Sequence, residues 1–159
     1  MIERRRVLTL LGGLAVASGT VLAAGPAPAR PPMKVHRDPS CGCCEAWVAH
    51  VKRAGFDARI EITDDIDAVK RRLGVPASLA SCHTAEIDGY LLEGHVPAEI
   101  VTRLLAERPA IRGLAVPGMP IGSPGMETPG MAPDPFRVIA FADGGRMSVF
   151  ADFPRGWGG

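Results

Sequence analysis

The feature that most constrains this chain is a cysteine-rich loop between a predicted strand and a predicted helix. Three of the four cysteines lie within four positions, at Cys41, Cys43 and Cys44. Residues 33–38 alternate in polarity as a short strand does, and a helix is predicted to begin within the loop and to stop at Gly55. Backbone N–H groups and the helix dipole at such an N-terminus favour negative charge, so they lower the pKa of nearby cysteines.

The chain that follows the first helix predicts an α/β fold. Residues 56–65 alternate as a half-buried strand, and residues 66–74 form a short amphipathic helix. Two further strands are joined by the turn signal Asp88-Gly89, and Pro97 opens another helix. The order strand–helix–strand–helix–hairpin–helix is that of a thioredoxin-like fold, with the cysteine loop between its first strand and first helix.

The C-terminal part has a different character. From residue 113 to residue 136 Pro and Gly are dense, and we expect neither helix nor central strand there. Residues 136–153 alternate on both sides of a turn at Asp143 and predict a β-hairpin. The predicted organisation is a thioredoxin-like domain over residues 30–110, with residues 111–159 as an extension and hairpin packed on the same domain.

The N-terminus has the layout of an export signal. A basic start at Arg4, Arg5 and Arg6 precedes an apolar run, and small residues near Ala29 offer cleavage points. A membrane anchor is the alternative, but glycine, serine and threonine dilute the apolar run. The arginines also fit a twin-arginine signal, and the choice between that route and the general one stays open. We expect residues 1–29 to be removed, which leaves a periplasmic protein without stable membrane association.

The charge balance excludes some partners. The chain carries 18 basic and 17 acidic residues, without a basic patch for nucleic acid or an acidic tail. A monomer is expected. In an exported protein an even number of cysteines usually forms a disulfide framework, so only the spacing of the cysteines can distinguish a metal site from disulfides.

The cysteine pattern leaves a redox site and a metal site as alternatives. A pair such as Cys41 and Cys44 at a helix start is a common redox dithiol, and thiol exchange needs only two sulfurs. Cys43, which lies between them, would compete as a wrong partner. Cys82 and His83 directly precede the third strand, which in a thioredoxin-like fold begins beside the redox loop. The cysteines therefore favour a soft metal such as Cu(I), zinc or an iron–sulfur cluster over a dithiol or a disulfide from Cys82 to the loop.

Three Pro-Gly-Met repeats add soft donors in a segment that is predicted not to be helical. They end at Met119, Met126 and Met131. Methionines usually fill helical cores, but these lie at predicted turns. A thioether is a poor ligand for zinc and a good one for Cu(I), so the repeats favour copper, although Met131 could simply belong to a surface loop.

The other histidines are less informative. His95 lies at a strand-to-helix junction, where it could cap the helix or bind metal. His36 is close to the loop but follows the strand alternation, and His50 is expected to face solvent from a helix. The roles of His36 and His95 stay open.

Four segments together resemble the CopG copper-resistance proteins: CGCCEAW, LGVPASLASCHTA, GYLLEGHVPAE and GLAVPGMPIGSPGM. The resemblance covers roughly residues 34–150. It implies a thioredoxin-like domain whose extension helps to bind a thiolate-bridged cluster of several copper ions. The ligands that it implies are Cys41, Cys43, Cys44, Cys82, His83, Met119 and Met126, whereas Met131 lies beyond the matched segment.

The same resemblance implies a role in copper resistance. It also suggests that the protein acts as an oxidoreductase that interconverts Cu(I) and Cu(II). Copper ions are the implied partner, together with a periplasmic efflux or carrier protein. The alternatives are a metal-free thiol–disulfide oxidoreductase and a passive copper carrier. The sequence leaves the number of ions, their oxidation state and the choice between enzyme and carrier open.

Overall fold

A computed structural model describes residues 30–158 of the chain. The predicted export signal, residues 1–29, lies outside the described residues. The elements follow in the order β1 (Met33–Arg37), α1 (Gly42–Arg53), β2 (Ala58–Ile62), α2 (Ile66–Leu73), β3 (His83–Ile87), β4 (Tyr90–Glu93), α3 (Ala98–Glu107), β5 (Gly113–Ala115), β6 (Phe136–Phe141) and β7 (Met147–Phe153). No helix among them is long and apolar enough to cross a membrane.

All the strands belong to one mixed sheet in the order β2-β1-β3-β4-β5-β6-β7. The pairs β1–β2 and β4–β5 are parallel, and the other neighbours are antiparallel. The prediction of a thioredoxin-like α/β fold is confirmed, because β2-β1-β3-β4 and their helices follow the predicted order. The hairpin β6–β7 is confirmed as well. The division at residue 110 stays a prediction, since β5, β6 and β7 continue the same sheet.

The expectation that no central strand follows residue 113 is wrong for three residues. β5 lies between β4 and β6, and Leu114 and Ala115 are fully buried. Proline enters only at Pro117, after the strand has ended. Gly113 suits the strand because a Cβ there would lie 2.2 Å from the carbonyl oxygen of Leu91 on β4. A glycine that the sequence presents as a breaker therefore permits a close approach of two strands.

Local signals in the sequence account for the ends of α2 and for the turn between β3 and β4. Asp65 caps α2 by accepting a 2.8 Å hydrogen bond from the Ala68 N–H, and Gly74 ends the helix with φ of 78°. Asp88 and Gly89 join β3 to β4 with φ of 49° and 85°, as a tight hairpin requires.

His50 does not face solvent as expected. Its side chain is buried, and Nε2 accepts a 3.0 Å hydrogen bond from the Ala98 N–H at the start of α3. The Trp157 ring packs edge-on against it at 5.0 Å. Burial lowers the pKa of His50 below its ordinary value. The neutral imidazole therefore joins α1 to α3, because the protonated ring could not accept the bond.

This contact predicts a pH dependence of stability. The unfolded chain takes up a proton on His50 as pH falls through about 6.5, whereas the folded chain resists protonation, so the free energy of unfolding should fall. His50→Gln keeps an acceptor but cannot titrate. Between pH 7.5 and 5.5, chemical denaturation should show a larger loss of stability in the parent than in His50→Gln. Equal losses would contradict a neutral, bond-accepting His50.

Candidate metal centre

The register of β1 and β3 brings the cysteine loop to Cys82. Arg37, the last residue of β1, is paired with His83, the first residue of β3. The cysteine loop after β1 and the Cys82 segment before β3 therefore lie at the same end of these two neighbouring strands. The sulfurs of all four cysteines lie within 4.8 Å of one another. The structure thus brings together the four predicted thiol ligands.

A buried guanidinium holds the loop in place. Arg37 is 6 % exposed, and its Nη1 donates to the carbonyl oxygens of Asp38 at 2.9 Å and Pro39 at 3.2 Å. Its Nη2 donates to the Glu45 carboxylate in the first turn of α1. One planar donor group therefore ties the strand end, the loop and the helix start together.

The cysteines occupy the N-terminus of α1. Cys41 is the N-cap residue and makes no side-chain cap hydrogen bond, while Cys43 and Cys44 lie in the first turn. Cys44 is fully buried, whereas Cys41 and Cys43 are partly exposed. The free N–H groups of this turn favour thiolates, whether the thiolate acts as a nucleophile or as a ligand.

Two of the thiols are joined. Cys41 and Cys44 form a disulfide, and Cys43 and Cys82 are free. The Cys43 sulfur lies 3.5 Å from that of Cys41 and 3.8 Å from that of Cys82. The geometry therefore contains both the redox pair of the C-x-x-C alternative and two more sulfurs that a dithiol does not need.

Two imidazoles complete the cluster. The Cys82 sulfur lies 3.3 Å from Nδ1 of His83 and 3.1 Å from Nε2 of His95. The sequence alone does not assign a role to His95, because its distance from Cys82 depends on the turn between β4 and α3. Its Nδ1 donates to the Pro124 carbonyl oxygen at 2.8 Å, which leaves Nε2 as the unprotonated nitrogen facing Cys82. His95 is therefore a candidate donor beside the predicted His83.

Burial keeps both imidazoles neutral. It is the main cause that lowers the pKa of His83 well below its ordinary value, with further contributions from His95 and Lys70. Burial also lowers the pKa of His95, against the opposing hydrogen bond to Pro124. Neutral imidazole is the form that binds metals. In the described part of the chain, Nε2 of His83 is a buried nitrogen without a hydrogen-bond partner, while its Nδ1 faces the Cys82 sulfur.

The surroundings of Cys82 favour the thiol over the thiolate. Burial, followed by the nearby Cys43, raises the pKa of Cys82 to about 12. A cation that binds this sulfur must displace the proton, so metal binding at Cys82 would release it.

The Pro/Gly/Met segment lies against the same site through its backbone. The Gly118 N–H donates to the Ala80 carbonyl oxygen at 3.3 Å. Gly125 packs closely on α1, since a Cβ there would lie 2.6 Å from the backbone nitrogen of Trp47. The Met119 side chain is 53 % exposed and that of Met126 is partly buried. The backbone of this segment therefore lies beside Ala80 and Trp47, and ligation by the two thioethers stays a prediction.

His36 and Met131, whose roles the sequence leaves undecided, have the following surroundings. Nε2 of His36 lies 2.8 Å from a carboxylate oxygen of Glu86. The Met131 side chain is 53 % exposed. The described residues contain no cis peptide bond, so His83 follows a trans peptide where a thioredoxin-like fold usually has a cis-proline.

Solved structures place this arrangement in a family. "Copper resistance protein copG- Form 2" is 46 % identical, covers 79 % of this chain and 99 % of its own, and superposes with a TM-score of 0.74. The chain belongs to the CopG copper-resistance family. "Copper resistance protein copG- Form 1" is also 46 % identical, covers 79 % of this chain and 98 % of its own, and gives a TM-score of 0.73.

The CopG resemblance inferred from the sequence is therefore confirmed. A family model described as "Protein of unknown function, DUF411" matches residues 79–126, which include Cys82, His83 and His95. No curated protein matches the chain.

The disulfide predicts a thiol count. Metal-free protein prepared without reductant should expose two reactive thiols per chain after denaturation, from Cys43 and Cys82, and four after reduction. A chromogenic thiol reagent measures both, and peptide mapping identifies the linked pair. Four free thiols before reduction, or a disulfide that contains Cys43, would contradict the arrangement.

Proposed function

We propose that this chain is an exported, monomeric copper-binding protein that limits copper toxicity by holding several Cu(I) ions in a thiolate-bridged cluster. The proposal rests chiefly on one observation, the convergence of four sulfurs within 4.8 Å of one another. The proposed ligands are Cys41, Cys43, Cys44, Cys82, His83, Met119 and Met126, with His95 added from its position beside Cys82.

The donor set suits Cu(I) better than zinc. Thiolate, thioether and imidazole are soft or intermediate donors, and thioethers add little to a zinc site. A structural zinc ion is satisfied by four ligands, whereas four sulfurs and two imidazoles already exceed that number here. The surplus supports several ions that share bridging sulfurs.

The disulfide and the loaded cluster are alternative states in this proposal. Cys41 and Cys44 can bind copper only after their S–S bond takes up two electrons and two protons to give two thiols, and copper then displaces the thiol protons. A periplasmic dithiol protein or a small thiol would supply the electrons and be oxidised to its own disulfide.

The reverse reaction offers a route for the suggested interconversion of copper states. Closing the disulfide from two thiolates releases two electrons, enough to reduce two Cu(II) to two Cu(I). Cys43, Cys82 and the two histidines would remain to hold Cu(I). In this form the chain would act as a copper oxidoreductase, whereas a chain that only passes Cu(I) to an efflux or carrier protein would leave its thiols unchanged.

A metal-free thiol–disulfide oxidoreductase is the second candidate function. The Cys41–Cys44 disulfide at the start of α1 favours it directly. The candidates differ in what they require of Cys43, which is a cluster ligand in the first and is not needed for exchange in the second.

Replacing single cysteines separates the two functions. If the cluster is bridged, Cys43→Ser should lower the copper content of reduced, copper-loaded protein about as strongly as Cys41→Ser does, because each removes one bridging sulfur. Elemental analysis of both variants, alongside an insulin-reduction assay, measures this. Normal copper content in Cys43→Ser, with exchange activity lost only in Cys41→Ser, would favour the oxidoreductase.

The thioethers are tested by removing the sulfur and keeping the shape. Replacing Met119 and Met126 by Leu should weaken Cu(I) binding and make the bound copper easier to oxidise, since thioethers favour Cu(I). The fold should survive, because swaps of this kind typically cost less than ~1.5 kcal/mol. Competition with a chromophoric Cu(I) chelator measures the affinity.

Met131→Leu is the control, because Met131 is exposed and lies beyond the segment that resembles the CopG proteins. It should bind Cu(I) as the parent does. If the double variant also holds copper as tightly as the parent, Cys and His alone build the site.

A further inference from the structure

A buried charged network lies beneath Cys82 and His83. Glu93, the last residue of β4, and Thr84 are fully buried, and Lys70 of α2 is 5 % exposed. Taking two charges out of water costs several kcal/mol, and well-packed apolar residues often stabilise a fold at least as well as a buried ion pair. Stability alone is therefore a weak explanation for this network.

The contacts of Glu93 connect it to the donors. Its Oε1 accepts hydrogen bonds from the Ser81 N–H at 2.6 Å and from Nζ of Lys70 at 2.5 Å. Its Oε2 accepts from the Thr84 hydroxyl at 2.6 Å. Nζ of Lys70 also donates to Thr84 Oγ1 at 3.0 Å, so the ammonium orients that hydroxyl toward the carboxylate.

Two of the residues that Glu93 binds flank the candidate ligands. Ser81 immediately precedes Cys82, and Thr84 immediately follows His83. Thr84 is held in the sheet opposite Glu93, but Ser81 lies before β3 begins, where the strand ladder does not hold its N–H. The carboxylate therefore holds the Ser81 backbone on one side of Cys82 and His83 and the Thr84 hydroxyl on the other. The sheet alone would hold only the Thr84 side.

We propose that the Lys70–Glu93 ion pair is a positioning device for the metal centre, holding Cys82 and His83 at the distance from the cysteine loop that bridging requires. The carboxylate accepts from the Ser81 backbone and from the Thr84 hydroxyl, and the ammonium compensates its charge and orients Thr84. Neither Lys70 nor Glu93 is among the proposed ligands. This inference rests on the proposed copper function.

The test separates positioning from stability. In Lys70→Met/Glu93→Leu both charges are removed together, so no uncompensated charge stays buried, while Ser81 and Thr84 lose their acceptor. The metal-free variant should keep a cooperative thermal transition. Its affinity for Cu(I), measured by chelator competition, should fall about 10-fold or more, as when outer partners of metal ligands are removed. The ultraviolet thiolate-to-copper absorption should also change shape, because the bridging geometry is altered.

Thr84→Val keeps the ion pair and removes one anchor, so it should weaken Cu(I) binding less than the double variant and leave the fold intact. The matched control, Asp57→Asn/Arg59→Gln, neutralises an exposed ion pair and should bind as the parent does. A folded Lys70→Met/Glu93→Leu with parental affinity and spectrum would overturn the proposal, as would a variant that does not fold, since the pair would then serve stability. Failure of the parent itself to bind Cu(I) would instead overturn the proposed function.

Discussion

β1 and β3 run antiparallel with Arg37 opposite His83, and the candidate metal centre depends on that register. The pairing makes the exit from β1 and the entry to β3 neighbours, so two segments about forty residues apart in sequence supply sulfurs to one cluster. A slip of one residue would turn the side chains of β3 to the opposite face. Two buried charged groups fix the segments that meet there: Arg37 binds the carbonyls of the loop, and Glu93 binds the residues on either side of Cys82 and His83.

The chemistry of the site follows from its burial and from its place at a helix start. The first turn of α1 favours thiolates, while desolvation keeps the imidazoles of His83 and His95 neutral and raises the pKa of Cys82. A proton, a second sulfur or a soft cation can each satisfy these donors. The disulfide and the proposed copper cluster therefore compete for the same atoms, and the redox state of Cys41 and Cys44 decides which of them forms.

Much of this architecture is readable in the sequence, because it rests on local signals. The helix-start cysteines, the Asp88-Gly89 turn and the CHTA segment predicted the element order and the meeting of Cys82 with the loop. The remainder depends on contacts between distant residues. The residues around His95 do not show whether it caps a helix or lies beside Cys82. No local pattern indicates that Lys70 pairs with Glu93. The sequence does not predict β5, because glycine usually disfavours a strand. Here Gly113 is required, since a larger residue would collide with Leu91 on β4.

The most direct test of the proposed cluster is a copper X-ray absorption spectrum of the reduced, copper-loaded protein, recorded with the copper content per chain. A thiolate-bridged Cu(I) cluster predicts more than one copper per chain, a Cu(I) edge, a first shell dominated by sulfur, and copper–copper scattering from ions that share a thiolate. One copper or fewer per chain, with a nitrogen and oxygen shell and no copper–copper contribution, would contradict it.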